Sequence, residues 1–138
     1  MIKIHQILVF IGFMSRIYAF NKSVVYKQCV RPGNVAITFD DGPSPYTNGI
    51  LDTLRNNNVK ATFFVSGNKL VTEESLETLK RIVNEGHTLG SHMWSHKLIS
   101  KISNKEVIEE MQMTSNRIFE LTGAKYLVLF YISRFSYD

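Results

Sequence analysis

Cysteine is almost missing from this sequence, since Cys29 is the only one among 138 residues. A single thiol excludes a fold held together by a disulfide framework. The chain has only eight glycines and three prolines, which excludes a collagen-like composition. A strong excess of one charge is also absent, because 16 Lys and Arg residues accompany 12 Asp and Glu residues. With 44% hydrophobic residues, the sequence predicts one ordinary globular domain with a buried core.

The first 19 residues have the pattern of a secretory signal peptide. Lys3 supplies a positive start, residues 7–14 form an uncharged apolar run, and Ala19 is a small residue of the kind that signal peptidase accepts. The alternative is a membrane anchor, but this run is much shorter than the roughly 20 residues that a spanning helix needs. We therefore expect a signal peptide over residues 1–19, an N-terminal lead over residues 20–28, no transmembrane segment, and a secreted protein, extracellular or in the cell wall.

The remaining chain shows no nucleic-acid-binding signature. Without residues 1–19 it carries 14 Lys and Arg residues against 12 Asp and Glu residues, and we expect no nucleic-acid partner. Cys29 is an odd cysteine in an exported chain, which indicates either a free thiol or a pairing partner that this chain lacks.

Short β-rich runs alternate with helical periods along the chain. The predicted strands are residues 35–39, 61–65, 88–91 and 126–135. Strands that are separated by helices run parallel, and their carboxyl ends meet at one edge. The sequence therefore predicts an α/β sheet or barrel with its ligands at that edge.

Three helices are predicted between these strands, each with its own start and stop signals. The first begins with Ser44 as cap and Pro45 in the first turn, and ends at residues 56–58. Thr72 caps the second, which Gly86 closes, and Ser103 with Glu106 forms a capping box for the third, which Gly123 closes. The predicted core-facing residues of the three helices are, in order, Tyr46, Ile50, Leu51 and Leu54; Leu76, Leu79, Ile82 and Val83; and Val107, Ile108, Met111, Ile118 and Phe119.

Four titratable side chains follow two of the predicted strands. Asp40 and Asp41 come directly after the first strand, and His92 and His96 come directly after the third. Each pair has an ordinary explanation by itself, since Asp-Asp-Gly is a common turn and two histidines four residues apart arise by chance. Together they supply two imidazoles and a carboxylate, a ligand set of catalytic zinc, with a second carboxylate beside it.

Two segments resemble the first motifs of the polysaccharide deacetylase family, also called NodB-homology or carbohydrate esterase family 4. They are residues 35–43, which read Val-Ala-Ile-Thr-Phe-Asp-Asp-Gly-Pro, and residues 91–96, which read Ser-His-Met-Trp-Ser-His. Residues 61–68 also resemble the family, and residues 29–33 resemble fungal chitin deacetylases in particular. The resemblance implies an α/β fold, the N-terminal part of a distorted, incomplete β/α barrel with parallel strands, over a partial domain at residues 29–126.

The resemblance also implies an activity. Family members are metal-dependent hydrolases that remove acetyl groups from polysaccharides, and the substrate expected here is chitin or a related N-acetylglucosamine polymer. Asp40 would be the general base, while Asp41, His92 and His96 would hold a divalent metal, zinc or sometimes cobalt. Trp94 has two explanations, a place in a sugar site or a packing role.

The resemblance stops near Tyr126. There the family continues into an Arg-Pro-Pro-Tyr-Gly type of motif, whereas residues 127–138 form an apolar tail without it. We expect this tail to be aberrant and the chain to be truncated. The alternative to a deacetylase is a non-catalytic secreted fragment that at most binds metal or glycan.

Overall fold

The structure is a computed structural model that describes Cys29 and residues 31–123. Its regular elements are β1 (Thr38–Gly42), α1 (Thr47–Asn56), β2 (Thr62–Val65), α2 (Glu73–Asn84), β3 (Thr88–Ser91) and α3 (Asn104–Thr122), with short 3₁₀ turns at Gly67–Lys69 and Ile99–Lys101. All of them belong to one compact unit that starts at Val35, whereas Cys29, an exposed free thiol, belongs to the unit before it. The predicted signal peptide, the lead at residues 20–28, the strand at 126–135 and the tail at 127–138 lie outside the described residues.

The three strands form one parallel sheet in the order β1-β2-β3. β2 and β3 pair in regular register from Thr62 opposite Thr88 to Val65 opposite Ser91. β1 pairs with the other side of β2, starting with Thr38 opposite Thr62. Each connection between neighbouring strands contains a helix, as parallel strands require. The predicted α/β class with parallel strands is thus confirmed, and the carboxyl ends of the strands share one edge.

The core lies between this sheet and the helices. Phe63 and Val65 of β2 are almost fully buried, and Phe39 of β1 stacks on Phe63 with ring centroids 5.1 Å apart. The helices contribute side chains that are completely buried: Leu51, Leu79, Ile82 and Ile118. The central strand is therefore held by apolar side chains from all three helices, which fixes its carboxyl end in place.

The second predicted helix agrees closely with α2. Thr72 is its N-cap, where Thr72 Oγ1 accepts a hydrogen bond from the Ser75 amide at 3.2 Å. The Ser75 hydroxyl oxygen accepts one from the Thr72 amide at 3.1 Å, which completes a capping box. Leu79 and Ile82 are buried, as predicted, while Leu76 and Val83 are partly buried against the core.

The predicted start of the first helix is wrong by a few residues. The amide of Thr47 donates to the carbonyl of Ser44, and the amide of Ser44 donates to Thr47 Oγ1, so these residues form a turn before the helix. α1 therefore begins at Thr47, and Tyr46 precedes it with 81% of its surface exposed. Leu51 and Leu54 are buried as predicted, but Tyr46 is not part of the core face.

The ends of the third helix are predicted correctly, but its core face only in part: Ile118 is completely buried as predicted, and Val107 and Met111 are partly buried. Ser103 and Glu106 form the capping box, and Gly123 takes the left-handed conformation that ends the helix. Ile108 and Phe119 are about half exposed, whereas Glu110, Thr114 and Ile118 are buried. These three positions are four residues apart, so the helix turns a different stripe toward the protein. Neither α3 nor any other helix in the described part of the chain is long and apolar enough to cross a membrane.

Candidate metal centre

Asp41 lies within β1 and not after it, which corrects the predicted end of the first strand. The pairing of β1 with β2 continues to Gly42 opposite Val65, with a shift of register between Phe39 and Gly42. Asp41 falls in this irregular stretch and has a positive φ of 62°. A bulge of this kind changes the direction of a side chain at the end of a strand. Asp40, one residue earlier, is also part of the strand.

His92 follows β3 directly, as predicted, and its amide donates to the carbonyl of Val65 in β2. His96 lies four residues further along the same loop. The side chain of His92 is only 4% exposed, while that of His96 is 54% exposed. The loop therefore presents one imidazole from inside the protein and the other from its surface.

The structure brings Asp41, His92 and His96 together at the carboxyl edge of the sheet. Asp41 Oδ1 is 3.2 Å from the Nε2 atom of each histidine. The two Nε2 atoms are 3.1 Å from each other. The three atoms thus form a nearly equilateral triangle, although Asp41 lies in β1 and the histidines lie in the loop after β3, on the other side of β2.

This triangle fits a tetrahedral zinc ion. Ligand atoms at the usual 2.0–2.1 Å from zinc are about 3.3 Å apart from each other. A hydrogen-bonded cluster explains the geometry less well, because each Nε2 has at most one proton to share between two neighbours. Two imidazoles and one carboxylate are also a donor set that zinc accepts in catalytic sites, where a fourth position stays open. We take the three residues as a candidate metal centre.

The backbone around the centre is unusual. Asp41, Met93 and His96 all have positive φ angles, of 62°, 64° and 55°. Residues other than glycine adopt this conformation rarely, and each instance costs on the order of 1–3 kcal/mol. Strained residues of this kind cluster at functional sites, where the surrounding structure holds them in place. Two of these residues, Asp41 and His96, are themselves candidate ligands, and Met93 directly follows the third candidate ligand, His92.

Asp40 is exposed and lies beside the centre. Partial burial of its carboxyl raises the pKa of Asp40, the nearby His92 lowers it, and the charge of Asp41 raises it again. The net pKa lies above the usual value for an aspartate. The backbone of its neighbour Asp41 is also fixed, since Lys69 Nζ donates to the Asp41 main-chain carbonyl at 2.5 Å.

The buried Glu110 supports the histidine loop and was not predicted from the sequence. Its carboxylate accepts hydrogen bonds from the amides of Trp94 and Ser95 and from the Ser95 hydroxyl. Burial raises the pKa of Glu110, but the Ser95 hydrogen bonds, the charge of Lys97 and the Trp94 amide together lower it below the usual value. No local pattern in the sequence indicates this role, because the partners of Glu110 lie 13–16 positions earlier in the chain.

Trp94 has a packing role in the structure. A methyl group at Gly67 would lie 2.3 Å from Trp94 Cε3, so the indole ring fills the space above this glycine. The amides of Gly67 and Asn68 donate to the carbonyls of Met93 and Trp94, both at 3.0 Å. The histidine loop is therefore fastened to the end of β2 by its carbonyls and by the tryptophan ring.

A parallel α/β sheet with a two-histidine, one-aspartate cluster at its carboxyl edge defines a class of candidate metallohydrolases. The sequence model of the family "Polysaccharide deacetylase" matches residues 27–134. The chain belongs to the polysaccharide deacetylase family. The match extends beyond residue 126, where the recognisable motifs end.

Individual relatives act on two kinds of polymer. The chain is 47% identical over 90 residues to the peptidoglycan-N-acetylglucosamine deacetylase PgdA of Listeria monocytogenes, which covers 64% of this chain and 19% of PgdA. It is 37% identical over 111 residues to a chitin deacetylase of Colletotrichum lindemuthianum, which covers 77% of this chain and 45% of that protein. The solved structure of the Colletotrichum enzyme matches with a TM-score of 0.67 and 36% identity over 70% of this chain and 44% of the other. The chain thus spans less than half the length of these relatives.

Proposed function

We propose that this chain is a metal-dependent hydrolase that removes N-acetyl groups from a polysaccharide such as chitin. The observation that carries the proposal is the triangle of Asp41 Oδ1, His92 Nε2 and His96 Nε2, with sides of 3.1–3.2 Å. Family membership supports the reaction class, and the likeness of residues 29–33 to fungal chitin deacetylases favours chitin over peptidoglycan. Asp41, His92 and His96 hold the metal, for which zinc is the first choice and cobalt the second.

When bound, a divalent metal would polarise the acetyl carbonyl and lower the pKa of a water molecule. Asp40 has the second role, that of a general base that takes a proton from the attacking water. Its position next to Asp41 places a carboxylate beside the centre that need not bind the metal itself. Burial raises the pKa of Asp40 and the nearby His92 lowers it, while a bound divalent cation would favour its ionised, proton-accepting form.

Export is part of the proposal. The signal-peptide pattern of residues 1–19 supports a secreted protein that meets its polymer outside the cell or in the cell wall. An insoluble cell-wall polymer is accessible to an enzyme only after secretion. The proposed localisation and the proposed substrate are therefore consistent with each other.

Two measurements on the full chain test the proposal. The first is zinc binding, by competition with a chromophoric chelator, which should show one site that His96→Asn abolishes. The second is acetate release from an N-acetylglucosamine oligomer, which should depend on zinc and on Asp40. Absence of zinc binding would refute the metal centre. Zinc binding without acetate release would instead favour the non-catalytic fragment that binds metal or glycan.

A further inference from the structure

Glu110 is a buried carboxylate in the middle of α3. Only 7% of its surface is exposed, and Thr114 and Ile118, one and two turns later, are completely buried. Burying an ionised carboxylate is costly unless hydrogen bonds or opposite charges compensate. The hydrogen-bond and ion-pair partners of Glu110 therefore indicate its role.

These partners all come from the segment between and just after the two histidines. Glu110 Oε2 accepts from the amides of Ser95 at 2.6 Å and Trp94 at 3.1 Å. The Ser95 hydroxyl lies 2.8 Å from Oε1 and 2.9 Å from Oε2. Lys97 Nζ adds an ion pair at 3.6 Å. Two neighbouring residues, Trp94 and Ser95, thus donate their amides to one carboxylate, and Ser95 directly precedes His96.

The loop is clamped from two sides. Its carbonyls at Met93 and Trp94 accept hydrogen bonds from the amides of Gly67 and Asn68. Its amides at Trp94 and Ser95 point the other way, toward Glu110. The positive φ angles of Met93 and His96 lie at the two ends of this clamped stretch. Such a conformation persists only where the surroundings enforce it, and Glu110 is the side chain that binds the amide side of the loop.

We propose that Glu110 is a positioning residue of the metal centre. It holds residues 94–97 in the conformation that brings His96 Nε2 within reach of His92 and Asp41, without touching the metal itself. The proposal rests on the proposed function in one respect, that the triangle of Asp41, His92 and His96 binds zinc. Outer residues that orient metal ligands typically contribute about tenfold to a hundredfold to metal affinity.

The test uses the full chain with Glu110→Gln, which keeps the size of the side chain but removes its charge. We expect the zinc dissociation constant to rise by about tenfold to a hundredfold. Ser95→Ala should produce a smaller rise in the same direction, because it removes the hydroxyl and leaves both amide bonds. Ile118→Val is the matched control: it alters a buried residue of the same helix and should lower stability without changing zinc affinity. Equal zinc affinity in Glu110→Gln and the wild type would overturn the proposal.

A second measurement does not depend on zinc. In the metal-free chain, amide hydrogen exchange at Trp94 and Ser95 should become about tenfold faster in Glu110→Gln, the factor expected when a hydrogen bond to a charged group is lost. The amide of Ile82 in α2 serves as internal reference, because a general loss of stability would accelerate it as well. If the ratio of the exchange rates of the Ser95 and Ile82 amides is unchanged in Glu110→Gln, the proposal is overturned even if zinc affinity falls. If the wild type binds no zinc, the proposed function fails, while the exchange ratio still decides whether Glu110 holds the loop.

Discussion

The Nε2 atom of the exposed His96 lies 3.1 Å from that of the buried His92. The two rings are tilted by 38°, with centroids 4.9 Å apart. His92 has its Nδ1 atom buried and without a hydrogen-bond partner among the described residues. The two candidate ligands therefore have the same proposed role but different structural surroundings.

This difference predicts different consequences for His92→Asn and His96→Asn. Both should abolish zinc binding, because each removes one imidazole from the triangle. His92→Asn should also lower the free energy of unfolding by about 1–3 kcal/mol, since it alters a buried and tightly packed residue. His96→Asn should change it by less than about 0.5 kcal/mol, because the position is exposed and asparagine tolerates positive φ. Urea denaturation of the metal-free chains measures both free energies of unfolding. Equal losses of stability in the two variants would contradict the assignment of His92 as the buried and His96 as the exposed residue of the pair.

The adjacent aspartates offer a second matched pair. Asp41→Asn should abolish zinc binding, because a neutral amide replaces the carboxylate ligand. Asp40→Asn should keep zinc affinity close to that of the wild type and reduce acetate release by about 10²–10⁴-fold, the usual contribution of a general base. Zinc titration and an acetate assay on both variants separate the roles. Equal loss of zinc binding in the two variants would show that the division between base and ligand is wrong.

Much of this arrangement follows from local sequence signals. The capping boxes at Thr72 and Ser103 and the full extent of β3 are predicted correctly, because each depends on residues close together in the sequence. The meeting of Asp41 with the two histidines follows from a general rule, that the carboxyl ends of parallel strands share an edge. These features need no knowledge of distant contacts.

Other features depend on contacts that local patterns do not contain. Asp41 belongs to β1 because the pairing with β2 continues past Phe39, which the apolar run alone does not show. Glu110 looks like a solvent-exposed helix residue in the sequence, since its partners lie 13–16 positions earlier in a loop. In α3 the buried face carries Glu110, Thr114 and Ile118, whereas Ile108 and Phe119 are about half exposed.

The contact between Gly67 and Trp94 predicts that Gly67→Ala is destabilising. A methyl group there would lie 2.3 Å from Trp94 Cε3 and 2.7 Å from Thr114 Oγ1, so the indole must move. Overpacking of this kind costs about 1–3 kcal/mol. Because Trp94 lies between the two histidines in the chain, zinc affinity should fall as well.

The control for this prediction is Gly49→Ala. Gly49 lies in α1, and a methyl group there would meet nothing within 4 Å. This change should stabilise the chain by up to about 1 kcal/mol, because alanine is the better helix former. Thermal denaturation of the two variants should therefore shift in opposite directions. A neutral Gly67→Ala would show that the tryptophan ring is not packed on this glycine.

Export predicts a defined new N-terminus. If residues 1–19 are a signal peptide, the protein recovered outside the cell should begin near Phe20. N-terminal sequencing of the secreted material checks this directly. Replacing Leu8 with Arg should interrupt the apolar run and keep the protein inside the cell, whereas a Lys22→Arg control should be exported normally. Recovery of intact Met1 from a soluble cytoplasmic pool would refute the signal peptide.

The lowered pKa of Glu110 predicts how its contribution to stability depends on pH. Burial raises this pKa, but the hydrogen bonds from Ser95, the charge of Lys97 and the Trp94 amide outweigh that effect. The folded state therefore favours the ionised carboxylate more than the unfolded state does, where the pKa of a glutamate is about 4.3. The stabilisation is complete above that pH and disappears as the pH falls through the lower pKa of the folded state.

The measurement is the difference in free energy of unfolding between the wild type and Glu110→Gln, from urea denaturation at several pH values. Near pH 7 the wild type should be more stable by about 1.5–3 kcal/mol, the usual value for hydrogen bonds to a charged group. The difference should shrink steadily below the ordinary pKa of glutamate. Glu106 and His87 also have lowered pKa values and weaken the fold in acid, but both residues are present in the two chains, so their effects cancel in the difference. A difference that stays constant down to about pH 3 would show that the carboxylate charge does not stabilise the histidine loop.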